Sequence, residues 1–156
     1  MKLSPEEKQI VDRMRPGVYC RDGFLGSDDR GLAIILDTDR SELSELGVTK
    51  EQIAGRLRMI LAAAVGAFGA PVDVGEGLRA VYHEAMGRIP SPFGDGVFPK
   101  GEVELAAVDG ATYRFTPLSV HLIGRHGFFQ GRGNPYRLEP ADIVRVLGLP
   151  ESNRNR

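Results

Sequence analysis

Tryptophan is missing from this 156-residue chain, cysteine occurs once, and no apolar run approaches a membrane-spanning length. The single thiol, Cys20, rules out an internal disulfide framework and suits a reducing compartment. A lone cysteine is read first as a small packed hydrophobe rather than as a nucleophile. A membrane helix needs about 20 consecutive apolar residues, so none is expected. Glu6, Glu7 and Lys8 stand where a signal peptide would need an apolar core, so export is not expected and a cytoplasmic location is. Excess charge is missing too. The formal net charge of −1 gives no global attraction to nucleic acid or to an anionic membrane, and neither is an expected partner.

What remains is an ordinary globular composition, 42% hydrophobic and 26% charged. A chain of this length buries roughly 70% of its unfolded surface, enough to fold without a disulfide or a structural metal. Residues 1–150 are expected to form one domain and residues 151–156 a frayed tail.

The first half reads as helical. Ser4-Pro5-Glu6-Glu7 has the form of a capping box, with Ile10, Val11 and Met14 as a short apolar stripe and Pro16-Gly17 as the stop. Leu32, Ile35, Leu36, Leu43 and Leu46 recur at helical spacing, with Ser27 or Asp28 as cap and Gly47 as terminator, so a helix is expected over about 29–46. Thr49-Lys50-Glu51-Gln52 is a second capping box, with Val48 and Ile53 as a hydrophobic staple and Ile53, Leu57, Ile60, Leu61, Ala64 and Phe68 on one face of the next helix. The two-residue link predicts an αα-hairpin. Thr49–Leu57 has the look of the first helix of a DNA-binding helix-turn-helix, but no short glycine turn and polar recognition helix follow.

The second half is richer in glycine and proline. Gly75-Glu76-Gly77-Leu78-Arg79-Ala80 matches a dinucleotide-binding pattern, yet lacks a long preceding strand, and Glu76 would set a carboxylate against the phosphates; a plain loop is the better reading. Residues 78–89 fit helical spacing, with a strand as the alternative because of Val81 and Tyr82. His83-Glu84 is no zinc-protease motif, since Gly87 stands where the second histidine should be. Arg88–Gly101 reads as a loop, and Asp109-Gly110 as the turn of a hairpin between Glu102–Val108 and Ala111–Phe115. Pro140–Leu147 reads as a short helix. The class is α+β: a helical N-terminal half (the αα-hairpin plus the capped first helix) packed with a small antiparallel sheet and short C-terminal helices.

Polar chemistry concentrates in Thr116–Arg137, which holds two of the three histidines, three arginines and no acidic residue. Its first part is explained by helix rules: Thr116 caps, Pro117 takes N1, Gly127 takes the left-handed C′ position and Phe128 packs back on Ile123. Its second part offers arginines for a phosphate or carboxylate and aromatic rings for stacking. The expected ligand-binding residues are therefore Arg125, His126, Arg132, Asn134, Tyr136 and Arg137, and the expected ligand is an anionic small molecule, a nucleotide or a sugar phosphate. The alternative is that these arginines pair with the acidic stretch Asp22–Glu51, which carries eight acids.

Phe115-Thr116, Leu118–Ile123, His126–Phe129, Gly131, Gly133 and Tyr136–Pro140, and beyond them Ile89–Gly94 and Phe24-Leu25-Gly26, resemble a group of small, functionally uncharacterised bacterial cytosolic proteins. The resemblance implies a shared fold and a cytosolic location, and no activity.

Two further readings stand beside ligand binding. The small residues of Ala62–Ala67 offer a face for a homodimer. A His-based or metal-dependent enzyme would use His121 or His126 as acid or base, with Arg125 or Arg137 stabilising an anion; Ser91 and Ser119 lie in no nucleophile elbow. No cofactor is expected. His121 and His126, five apart, leave a helix about 140° from each other. A metal on them needs Cys20, His83 or a carboxylate brought in from afar, so no metal site is assigned, and His121 is expected to be a partly buried, hydrogen-bonded core residue.

Overall fold

The computed structural model describes residues 3–150; the expected tail lies outside them. The chain runs α1 (Pro5–Arg13), α2 (Leu32–Leu46), α3 (Lys50–Gly66), β1 (Val72–Asp73), β2 (Arg79–His83), β3 (Arg88–Pro90), β4 (Val97–Pro99), β5 (Glu102–Ala106), β6 (Thr112–Phe115), α4 (Pro117–His126) and α5 (Pro140–Val146). It is an α+β fold. The antiparallel sheet has the order β1-β2-β5-β6, and β3 and β4 form a separate hairpin. Among the described residues no helix is long and apolar enough to cross a membrane.

Local rules place most helix ends. Ser4 accepts from the Glu7 amide at 3.1 Å, and Thr49 and Gln52 complete the capping box of α3. At α4, Thr116 is the N-cap, and Gly127 and Phe128 donate to the carbonyls of Ile123 and Leu122 in a Schellman end. Phe128 does not join Ile123, however; it packs with Leu118 and Leu122 in a different core.

Three further expectations change. First, α2 begins at Leu32, because Asp28 binds the backbone and guanidinium of Arg30 instead of capping a helix. Second, residues 78–89 are not a helix. Ala80 is buried, Val81 and Tyr82 are half-buried, and β2 pairs along its whole length with β5. A strand following Gly75-Glu76-Gly77 also removes the helix start that a pyrophosphate would need. Third, Arg88–Gly101 is not all loop. Its ends pair as β3 and β4 and hold up a tip of residues 91–96, closed by Ser91 N to Gly96 O at 2.8 Å and Gly94 N to Ser91 O at 3.0 Å. The hairpin of β5 and β6 around Asp109-Gly110 forms as expected.

Helix α4 is buried on two sides. Val120 and Ile123 enter the main core, with Ile53, Leu57 and Ile60 of α3 and Val103, Leu105 and Phe115 of the sheet. Leu118 and Leu122 enter a second core with Met14, Phe24, Ile35 and Phe128, flanked by Phe93 and Phe98 of the β3–β4 hairpin. The expected αα-hairpin does not pack as one: the linked helices α2 and α3 find their principal helical partners later in the chain, α3 against α4 and α2 against α5. A Cβ added at Gly124 of α4 would come within 2.9 Å of the Ala54 Cβ, so glycine is what lets α3 approach this closely.

Candidate functional site

The arginine–glycine loop is tied into the fold. Arg137 spans the Asp39 carboxylate in a bidentate pair at 3.0 Å and 3.0 Å, gives a third bond to the Gln130 carbonyl, and meets Glu139 at 2.7 Å. Its side chain is 4% exposed and that of Asp39 is 1% exposed. Asp39 falls on the apolar stripe of α2, between the buried Ile35 and Leu43. A carboxylate there must be paired, because an isolated buried charge is prohibitively costly. That position is the sequence signal for the pair.

Asn134 donates to the Gly23 carbonyl at 2.8 Å and accepts from the Tyr136 amide. The Tyr136 hydroxyl donates to Glu102 at 3.1 Å, and the Arg114 guanidinium, paired with Glu102, lies 5.4 Å from the Tyr136 ring centroid. Burial and the Glu102 carboxylate push the Tyr136 phenol up, keeping it neutral. The Arg132 backbone is held by Asp28 and by Ser27, while its side chain is exposed. The glycines serve the same joint: a Cβ on Gly131 would come within 2.1 Å of the Leu25 carbonyl oxygen, and Gly131 N donates to Phe24 O at 2.9 Å. The basic loop and the acidic segment therefore meet, and most of the loop's polar groups serve the fold. Arg125 is exposed, and its carbonyl accepts from Lys50.

Beside this joint lies a cleft of about 270 Å³. Its apolar walls come from Phe24, Ile89 and Leu118, its polar lining includes Gln130 and Tyr136, and Arg21 and Lys100 bring cationic side chains to it. Gln130 is 4% exposed, has φ of +72°, and its carboxamide finds no hydrogen-bond partner among the described residues. A non-glycine residue in that left-handed region is uncommon and strained. Arg21 and Lys100 form no ion pair among the described residues. Cys20 also lines the cleft, but burial pushes its thiol up and the Sγ lies 3.5 Å from the Gly23 carbonyl, so it stays a protonated thiol. Gln130, Lys100 and Arg21 were not among the expected site residues.

The histidines form a separate cluster. Asp95, at the tip between β3 and β4, points one oxygen, Oδ2, at both rings: 2.7 Å to His126 Nε2 and 2.9 Å to His121 Nε2. Phe93 stacks on His126 at 3.8 Å and 10°, and Phe98 lies against His121 at 4.7 Å. Burial pushes the Asp95 carboxyl up, but the Ser91 hydroxyl and the imidazoles of His126 and His121 outweigh it and hold the group well below the usual carboxylate range. His126 makes a hydrogen bond to Oδ2. His121 approaches within ion-pair distance, but off the line of a hydrogen bond, and its buried Nε2 is left unsatisfied. The helical angle between the two positions is bridged from outside the helix, by the distant carboxylate that sequence spacing required. His83 stands apart, paired with Glu104 on the sheet.

Of the six expected ligand residues, Asn134 and Tyr136 line the cleft, His126 belongs to the histidine cluster, and Arg125, Arg132 and Arg137 line no part of the cleft. Of the face offered for a homodimer, Ala62, Ala63, Val65 and Gly66 are exposed and Ala64 is in the core. Comparison of the chain with protein-family models, with curated proteins and with solved structures finds no match.

Proposed function

We propose that this is a small-molecule-binding protein whose ligand is a small amphipathic anion, bearing a carboxylate or a phosphate, held in the cleft beside Gln130. The Gln130 carboxamide carries the reading: the residue is buried in the cleft wall, while its amide atoms have no protein partner among the described residues and meet solvent. A carboxamide that no protein group occupies is free to bond a ligand in the cleft, and one such hydrogen bond contributes about 0.5–1.5 kcal/mol. Phe24, Ile89 and Leu118 take the apolar body, and Lys100 or Arg21 meets the charge. This keeps the anionic ligand expected from the sequence and moves it off Arg137 and Arg132.

The test is calorimetric titration of the protein with a panel of small carboxylates and phosphate esters. At least one is expected to bind, and Lys100→Ala, an exposed position, should weaken it by about tenfold. Binding by no member of the panel, or unchanged affinity in Lys100→Ala and in Arg21→Ala, overturns the reading.

A further inference from the structure

We propose that Asp95, His121 and His126 form a binding site for one divalent first-row transition-metal ion of the zinc type. The site is independent of the cleft. Two imidazoles and a carboxylate are the donor set that such borderline ions take, whereas magnesium and calcium prefer all-oxygen shells.

The geometry supports this in three ways. The first is spacing. Metal–ligand bonds of about 2.0–2.2 Å imply donor separations of roughly 2.9–3.5 Å around one ion. Asp95 Oδ2 stands 2.7 Å and 2.9 Å from the two Nε2 atoms, and the three donors lie within 4.8 Å of one another. To admit the ion, Asp95 Oδ2 moves outward by a few tenths of an ångström and the two imidazole nitrogens, up to 4.8 Å apart, draw together by about 1 Å through side-chain rotation.

The second is the unsatisfied His121 Nε2. Two imidazole nitrogens approach one carboxylate oxygen, and only His126 is aligned to bond it. A cation between them takes a lone pair from each of the three atoms, which no arrangement of protons does. Buried polar atoms are nearly always partnered, and a missing ion is one of the few explanations for an exception.

The third is the support around the donors. Asp95 is carried on the closed hairpin tip, and the rings are braced by Phe93 and Phe98. Such outer contacts orient ligands for a metal. The three side chains keep 22%, 23% and 31% of their surface exposed, so solvent reaches the site. Three protein ligands leave a position for water or another small ligand, the arrangement of open rather than purely structural zinc sites.

The experiment uses tag-free protein stripped with a chelator, titrated with zinc by calorimetry and with cobalt by visible absorption. The expected result is one ion per chain and cobalt bands characteristic of nitrogen ligation. Asp95→Asn and His126→Gln should each weaken zinc binding about 100-fold or more, while His83→Ala binds as the parent does. No uptake by the parent protein, or cobalt bands of an all-oxygen shell, overturns the proposal without recourse to any variant. So does parental affinity in His126→Gln, or loss of binding in His83→Ala. Circular dichroism checks folding, and should Asp95→Asn fail to fold, His126→Gln decides.

Discussion

The loop of Phe129–Arg137 and the cluster of Asp95, His121 and His126 both set nitrogen donors against carboxylates, and they use them in opposite ways. In the loop the polar groups largely satisfy one another: Arg137 with Asp39, Glu139 and Gln130, Asn134 with Gly23, Tyr136 with Glu102. In the cluster two nitrogens share one oxygen and one of them goes unsatisfied. A dense run of arginine, glycine and tyrosine is thus no measure of what a surface has left to offer a ligand. Unmet hydrogen-bonding capacity is: it is found at His121, where the nitrogen is buried, and at Gln130, where the carboxamide is open to the cleft.

The sharpest way to break this comparison is Arg137→Ala. Removing one partner of a buried pair leaves the other charge uncompensated, so a loss of about 3–5 kcal/mol in urea-unfolding stability is expected. A loss under about 1 kcal/mol would show the loop to be far less committed than its bonds indicate. Gly131→Ala is the next in size. Its Cβ would press on the Leu25 carbonyl, and overpacking of this kind costs typically 1–3 kcal/mol. Unchanged stability there would mean that the joint between residues 24–27 and 130–134 gives way easily.

Acid should act on the loop in a definite direction. The Arg30, Arg114 and Arg137 guanidiniums hold Asp28, Glu102 and Glu139 below their ordinary carboxylate values. Groups whose folded pKa is depressed add stability that is complete above the unfolded value and is lost as pH falls through the folded one. Melting temperature is therefore expected to fall once pH drops below about 4.5, where unfolded carboxylates begin to take up protons. A melting temperature that holds from pH 6 down to about pH 3 would contradict the pairing. The smallest effect belongs to Arg132→Ala: an exposed side chain outside the joint should change stability by no more than about 0.5 kcal/mol and leave cleft binding intact.

What sequence could reveal follows from the range of each interaction. The caps at Ser4, Thr49 and Thr116 and the Asp109-Gly110 turn are decided within four residues, and they form as read. Residues 78–89 were open to two periods, since Val81 and Tyr82 suit a strand while the spacing of Leu78, Val81, Tyr82 and Ala85 also suits a helix; pairing with β5 decides it, from twenty-odd residues away. The approach of Asp95 to His126 is likewise tertiary, 31 positions apart in sequence and set by the β3–β4 hairpin. Gln130 gave no signal, because both its left-handed backbone and its lack of a partner arise from how Phe129 and Gly131 are seated.

The burial of α4 on two sides has a consequence for how the protein comes apart. One helix supplies walls to both cores, so neither can open fully while the other stays closed. Amide protons in the middle of α4 should be the last to exchange with deuterated solvent, at rates that follow global unfolding, while those of α1, which buries none of its own residues, exchange through local fraying.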